Sequence, residues 1–154
     1  MVAGRALRGA RTLELGCGLA LPSMAAVLAG GRVLATDWAP EAVALARANA
    51  ARNAIELELL TCSWSRPEAI VERGPWDLVL GADLLYEARN AELLLPLLPD
   101  LVGLTSEVWI ADPGRPPARR FLEGAAERWT VSSMRAEELP QGGIHRLRPQ
   151  PGSL

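Results

Sequence analysis

The sequence has 154 residues, of which 49% are hydrophobic and 22% are charged, a balance typical of one folded domain rather than a disordered chain. The 16 basic residues are all arginine and are scattered, and the net charge is −2, so composition favours neither a nucleic-acid-binding nor a membrane-surface protein. Cys17 and Cys62 are too far apart for a metal-binding pair, and we expect two buried thiols in a soluble cytoplasmic protein.

Short apolar runs alternate with helical patterns along most of the chain. We predict strands at residues 11–15, 32–36, 55–60, 76–81 and 107–111, and helices at 22–29, 40–52, 67–73, 88–101 and 117–128. Two closing strands, 129–134 and 144–148, leave no room for a helix between them, and Pro140, Gly142 and Gly143 are predicted to form their turn. The pattern predicts an α/β, Rossmann-like fold. Its seven-stranded, mostly parallel sheet would have helices on both faces and a C-terminal antiparallel strand pair, with an antiparallel strand at one edge.

A glycine turn follows the first predicted strand, in the stretch LELGCGLALP. Ligands of open α/β sheets bind beyond the carboxyl ends of the strands, where Gly16 and Gly18 would permit a tight turn. Asp37 ends the second strand about 20 residues later, where a carboxylate can accept both ribose hydroxyls of an adenosine. The turn and the acid together predict an adenosine site.

The residues around this turn do not suit a dinucleotide. Ala20 and Leu21 stand where the third glycine would be, and Pro22 removes an amide donor. Four acidic residues are predicted to form a rim at the strand ends: Glu14, Asp37, Asp83 and Asp112. Such a rim suits a ligand with a sulfonium and an ammonium group and no phosphate, as in S-adenosylmethionine. A nicotinamide-dependent oxidoreductase remains the less favoured alternative.

Four motifs carry a family resemblance. ELGCG, residues 14–18, resembles the first motif of class I S-adenosylmethionine-dependent methyltransferases, and ATDW, residues 35–38, resembles their ribose-binding motif. LELGCGLALPS, the Ser63-Trp64 pair and ADLLYE, residues 82–87, resemble the family-16 group, which includes protein-lysine methyltransferases with an Asp-x-x-Tyr motif. The resemblance covers nearly the whole chain and implies S-adenosylmethionine as cofactor.

The resemblance also implies a set of site residues. Those expected to bind the cofactor are Glu14, Gly16, Cys17, Gly18, Asp37, Trp38, Ser63, Trp64 and Ala82. Asp37 would bind the ribose, and Trp38 and Trp64 would lie against the adenine, although either tryptophan could instead belong to the core. Asp83 and Tyr86 are the expected catalytic residues: Asp83 could orient an acceptor amine, and Tyr86 could accept a hydrogen bond from it.

The predicted function is methyl transfer to a protein side chain of the lysine type. A small-molecule acceptor and a non-catalytic cofactor-binding remnant are the alternatives, and neither a metal nor a covalent nucleophile is required. Nucleic acid is a less favoured acceptor, because the sequence has no basic stripe with aromatics. The family usually has an acidic residue where this chain has Ser63, and a longer N-terminal segment than residues 1–10. We therefore expect residues 1–154 to be a single methyltransferase domain that lacks the family's N-terminal cap segment. His145, the one histidine, is expected to have a structural role on an edge strand.

Overall fold

The computed structural model describes residues 7–136 and 139–152, with the side chains of all of these except residues 136, 139 and 140. The strands are β1 (Arg11–Leu15), β2 (Arg32–Asp37), β3 (Glu58–Thr61), β4 (Trp76–Ala82), β5 (Val102–Asp112), β6 (Trp129–Ala136) and β7 (Leu139–Pro149). The helices are α1 (Leu21–Leu28), α2 (Pro40–Arg52), α3 (Glu68–Val71), α4 (Ala88–Leu101) and α5 (Pro116–Ala125). None of the helices in this described part of the chain is long and apolar enough to cross a membrane.

All seven strands belong to one sheet, in the order β3-β2-β1-β4-β5-β7-β6. Strands β1 to β5 pair in parallel, whereas β7 runs antiparallel to both β5 and β6. The predicted fold class is confirmed, but the antiparallel strand is not at an edge, because β7 inserts between β5 and β6. His145 consequently lies on an internal strand rather than the predicted edge strand, and its Nδ1 is 2.8 Å from the Ser133 hydroxyl.

The sheet is covered on both faces, and successive side chains of β4 divide between them. Val79 packs in the larger cluster with residues of α4 and α5, including Leu98 and Phe121. Leu78 and Leu80 point to the opposite face and pack with residues of α1. Because both faces are buried, the strand has no polar side between its ends, which explains its nearly continuous apolar sequence.

The prediction for the closing strands is partly wrong. Strand β7 begins at Leu139, so Pro140, Gly142 and Gly143 lie within a strand and not in the turn; residues 137 and 138, between the two strands, lie outside the described residues. A Cβ on Gly142 would lie 2.1 Å from the carbonyl oxygen of Asp112, and one on Gly143 would lie 2.6 Å from that of Met134. Glycine is required here because β7 passes too close to neighbouring backbone for a side chain.

Both cysteines are free and buried, as predicted. Cys17 packs with Ala20, Ala35 and Ala46. Burial, followed by the nearby charges of two carboxylates, raises the pKa of the Cys17 thiol to about 12. The thiol therefore stays protonated at neutral pH and behaves as a small apolar group.

Candidate active site

A cavity of about 230 Å³ lies at the carboxyl ends of β1 to β4. Its lining brings together most of the site residues predicted from the sequence, and it adds four that were not predicted. The predicted residues in the lining are Gly16, Asp37, Trp38, Ser63, Trp64, Asp83 and Tyr86, and the additional ones are Leu84, Arg89, Asn90 and Leu93. Because each strand contributes a short segment to one edge of the sheet, motifs that are distant in sequence meet in one space.

The glycine turn after β1 forms one wall of this cavity. Gly16 and Gly18 have φ values of +58° and +50°, which glycine adopts without strain. A Cβ on Gly16 would lie 2.6 Å from Cδ2 of Leu84, so a side chain there would close the approach to the turn. The N–H of Cys17 donates to the carbonyl of Thr36 at 2.8 Å, and its side chain faces the core. Neither Cys17 nor Gly18 is in the cavity lining.

The Asp37 carboxylate is held in place by two backbone amides. Its Oδ2 accepts a hydrogen bond from the N–H of Gly18 at 3.0 Å, and its Oδ1 accepts one from the N–H of Ala39 at 3.0 Å. The residue is only 8% exposed and lines the cavity. Each oxygen retains a further lone pair for a ligand hydroxyl, so the carboxylate is oriented before any ligand binds.

Two indole rings line the cavity from different strands. Trp38 is 69% exposed, which is unusual for tryptophan, so the alternative that it belongs to the core is wrong. Trp64 has both roles: it packs against the main core cluster and also lines the cavity. Beside it, the Ser63 hydroxyl lies 2.9 Å from the Ser65 hydroxyl. The rings provide apolar surfaces suited to a flat heterocycle.

The acidic rim predicted from the sequence is only half present. Glu14 is 1% exposed and turns toward the start of α1, where it accepts hydrogen bonds from the N–H of Ser23, at 3.0 Å, and from the Ser23 hydroxyl. Burial raises the pKa of Glu14 to about 7, against the lowering effect of those hydrogen bonds. Asp112 is fully buried and accepts hydrogen bonds within its own loop. Asp37 and Asp83 remain as the acids that line the cavity.

The segment after β4 presents Asp83 and Tyr86 to the cavity. Asp83 has a φ of +55°, and its N–H donates to the carbonyl of Ala111 at 2.8 Å. The carbonyl of Leu84, which is buried, accepts a hydrogen bond from the side-chain amide of Asn90 at 2.8 Å. Tyr86 is 52% exposed, so its ring is open to a ligand. Ala82, by contrast, ends the strand behind this segment and does not line the cavity.

Arg115, in the loop after β5, is the partner of Asp83. Its Nε donates to Oδ1 at 2.6 Å and its Nη2 donates to Oδ2 at 2.9 Å. The hydrogen bonds and negative charge of Asp83 raise the pKa of the guanidinium, which stays charged. The sequence contains 16 arginines, and no local pattern distinguishes this one; only the adjacency of β4 and β5 reveals it.

Comparison with known proteins finds a matching family and several relatives. Residues 2–126 match the model of a family described as lysine methyltransferase. The chain is 33% identical over 141 residues to the electron transfer flavoprotein beta subunit lysine methyltransferase of Xenopus laevis, an alignment that covers 86% of this chain and 55% of the relative. It is 31% identical over 150 residues to a protein N-lysine methyltransferase of Danio rerio, covering 92% of this chain and 66% of that one. The chain thus spans between about half and two thirds of the length of these relatives.

The fold also occurs in solved structures. A ribosomal-protein methylase from Lactobacillus delbrueckii subsp. bulgaricus superposes with a TM-score of 0.80 at 22% identity, covering 97% of this chain and 74% of that one. Such a low identity supports the shared fold alone. The family match over residues 2–126, together with the two relatives, shows that this chain belongs to the lysine methyltransferase family.

Proposed function

We propose that this protein is an S-adenosylmethionine-dependent methyltransferase that methylates a lysine side chain of another protein. One observation carries the proposal: a single cavity gathers the glycine turn after β1, the carboxylate after β2, the indole after β3 and the Asp83–Tyr86 segment after β4. Family membership supports the reaction class. The two free, buried thiols suit a reducing compartment such as the cytoplasm.

The residues present fit an adenosyl group. Asp37 would hold the two ribose hydroxyls on its free lone pairs, and Trp38 and Trp64 would enclose the adenine. Gly16 leaves space where a Cβ would meet Leu84, so the backbone of the turn would contact the methionine part.

A dinucleotide fits less well. Its pyrophosphate would need the free amides at the start of α1. In this chain Pro22 lacks an amide hydrogen, and the next amide, that of Ser23, donates to Glu14 at 3.0 Å. A carboxylate therefore already lies where the phosphate would bind, which argues against a nicotinamide-dependent oxidoreductase.

The end of the cavity that Asp83 and Tyr86 line is called the transfer end. Its side chains suit an amine acceptor. When bound, S-adenosylmethionine would supply an electrophilic methyl group on a sulfonium for transfer to an acceptor nitrogen. A lysine ammonium must first lose a proton, because it has no lone pair. Asp83 would orient the amine and the Tyr86 hydroxyl would accept a hydrogen bond from it. Leu84 and Leu93 give this end an apolar wall that limits access of water.

Calorimetric titration tests the cofactor. We expect S-adenosylhomocysteine to bind with micromolar affinity and NADH not to bind. Asp37→Asn should weaken S-adenosylhomocysteine binding about 10- to 100-fold, the loss expected for hydrogen bonds to a charged group. Glu56→Gln, which changes an exposed carboxylate to an amide in the same way, is the matched control and should bind normally. Binding of NADH alone would overturn the proposal.

Methyl transfer to peptides tests the acceptor. The protein is incubated with methyl-labelled S-adenosylmethionine and a library of lysine-containing peptides, alongside the same library with arginine in place of lysine. The chain itself contains no lysine, so any labelled methyl-lysine recovered after hydrolysis comes from the peptides. We expect label only with the lysine library, and a large loss of label with Asp83→Ala. Label confined to small molecules, or binding with no transfer to any acceptor, would contradict the proposed substrate class.

A further inference from the structure

The ion pair between Asp83 and Arg115 uses both oxygens of the carboxylate. The two distances, 2.6 Å and 2.9 Å, describe a bidentate pair, the geometry that matches a planar guanidinium to a carboxylate. Asp83 lines the cavity, whereas Arg115 contacts Asp83 from the loop after the neighbouring strand, β5. The arginine therefore determines how much negative charge the cavity presents at this point.

The backbone that carries Arg115 is fixed. Oδ1 of the buried Asp112 accepts hydrogen bonds from the N–H of Gly114 and the N–H of Arg115, both at 2.7 Å. Gly114 has a φ of +96°, and a Cβ there would lie 2.2 Å from the carbonyl oxygen of Gln141 on β7. The carboxylate of Asp112 and the glycine at position 114 therefore fix the backbone from which the Arg115 side chain extends.

The other half of the pair is equally constrained. Asp83 has a left-handed backbone and donates its N–H to Ala111 at the end of β5. Leu84 follows it into the core, and Asn90 holds the Leu84 carbonyl. The side chains of Arg115 and Asp83 are 41% and 54% exposed, but both backbones are set by adjacent strands, so the geometry of the ion pair follows from the fold.

We propose that Arg115 is a positioning residue that holds Asp83 by both oxygens and cancels its charge, and so sets how strongly the transfer end of the cavity attracts a cation. This inference rests on the proposed function, because it takes this end to receive the sulfonium and the acceptor amine. An unpaired carboxylate there would attract either cation strongly, whereas the paired carboxylate presents little net charge. Among the described residues that line the cavity, the cation is Arg89, whose side chain is 75% exposed and lies 3.2 Å from Glu87.

Two cofactor analogues that differ in charge at the transfer end provide the test. S-adenosylhomocysteine has a neutral thioether there. Sinefungin has an amine-bearing carbon in place of the sulfonium sulfur and its methyl group, and this amine is protonated at neutral pH. The dissociation constants of both are measured by calorimetry at low salt, and their ratio reports the electrostatic preference separately from overall affinity.

Arg115→Gln and Asp83→Asn should move this ratio in opposite directions. Without Arg115, the exposed charge of Asp83 should favour sinefungin over S-adenosylhomocysteine by about tenfold more than in the wild type. In Asp83→Asn the uncompensated arginine should disfavour sinefungin by a similar factor. Arg119→Gln is the control: Arg119 pairs with Glu123 on α5 at 2.9 Å and is 86% exposed, and its loss should leave the ratio unchanged. Arg115→Lys, which keeps the charge, should restore most of the wild-type ratio.

A purely structural pair would give a different result. If Arg115 only stabilised the loop, both variants would weaken the two ligands equally and the ratio would stay constant, which would overturn this inference while leaving the proposed function intact. If the wild-type protein bound neither analogue, the proposed function itself would fail and the inference with it. The two failures are therefore distinguishable in the same titrations.

Discussion

Two buried glutamates, one on β5 and one on β1, accept hydrogen bonds from donors of different charge. Glu107, on β5, is 7% exposed and accepts hydrogen bonds from the guanidinium groups of Arg146 and Arg148, at 2.5 to 3.1 Å, and from the Trp109 indole at 2.9 Å. Glu14, on β1, is 1% exposed, and its donors among the described residues are the amide and the hydroxyl of Ser23. One carboxylate thus has two cationic partners, and the other has only neutral donors.

The comparison shows two ways in which a buried carboxylate is compensated: Glu107 by opposite charges, and Glu14 by neutral hydrogen-bond donors. Burial raises the pKa of Glu14 to about 7, because its neutral donors offset only part of the desolvation and Asp37 lies nearby. The Glu107 cluster combines opposite charges, and Arg146 also lies over the Trp109 ring at 5.5 Å. The charged cluster joins β5 to β7, whereas Glu14, whose donors among the described residues are neutral, lies on β1 just before the glycine turn of the candidate site.

Replacing Glu14 should have the largest effect, and the effect should depend on pH. Between the ordinary pKa of 4.5 and the folded value of about 7, the folded chain keeps a proton that the unfolded chain loses. Rising pH therefore favours unfolding through this window. Glu14→Gln lacks this titration, so its stability relative to the wild type should increase by about 2 to 3 kcal/mol from pH 5 to pH 8.

Urea denaturation of both proteins at several pH values measures this effect. Glu56→Gln changes an exposed carboxylate and should follow the wild-type pH profile. A constant difference between Glu14→Gln and the wild type across pH 5 to 8 would show that Glu14 does not retain its proton in the folded state.

Glu107→Gln should lower the free energy of unfolding by about 2 kcal/mol. The change removes the negative charge with which both arginines pair. The loss is limited because the partly exposed side chains of Arg146 and Arg148 can be solvated by water instead. Urea denaturation at pH 7 checks the loss. Titration with S-adenosylhomocysteine should give wild-type affinity, since Glu107 lies outside the cavity; a parallel loss of binding would contradict the separation of the two regions.

Ser23→Ala removes one of the two neutral hydrogen-bond donors to Glu14 among the described residues. The Ser23 hydroxyl lowers the pKa of Glu14, so its loss should raise that pKa further. We expect a loss of about 1 kcal/mol at pH 8, and the pH at which stability stops falling, which the folded-state pKa of Glu14 sets, should move upward. The same denaturation series measures both. A shift of this pH downward would contradict the interpretation.

Arg148→Gln should have the smallest effect. Its side chain is 56% exposed, and Glu107 would keep Arg146 and the Trp109 indole. We expect a loss below about 1 kcal/mol, as for other largely exposed ion pairs, reduced further at 1 M salt. A loss as large as that of Glu107→Gln would mean that Arg148 alone compensates the buried charge.

Local sequence signals predicted the elements that positioned most of the site. Helices α2 and α4 occupy residues 40–52 and 88–101 as predicted, because proline near the start of α2 and helical periodicity are properties of the segment itself. Parallel strands bring their carboxyl ends together in any such sheet, so Asp37 and Asp83 could be expected at one edge. Their roles toward a ligand stay predictions.

The failures concern contacts between distant segments. Gly142 and Gly143 were assigned to a turn, but they are required by the close passage of β7 over Asp112 and beside Met134. The sequence predicts Glu14 on an acidic rim, because its strand position alone does not reveal its hydrogen bonds with Ser23. The Arg115 partner of Asp83 depends equally on tertiary structure. Spacing along the chain carries no information about such pairings.

The position of β7 has a consequence for the order of folding. Strand β6 precedes β7 in the chain, yet it reaches the sheet only through β7, which separates it from β5. Strand β6 therefore has no sheet partner until residues 139–149 have paired. The two strands should therefore enter the sheet together, as one hairpin, and a truncation that removes β7 would release β6 as well.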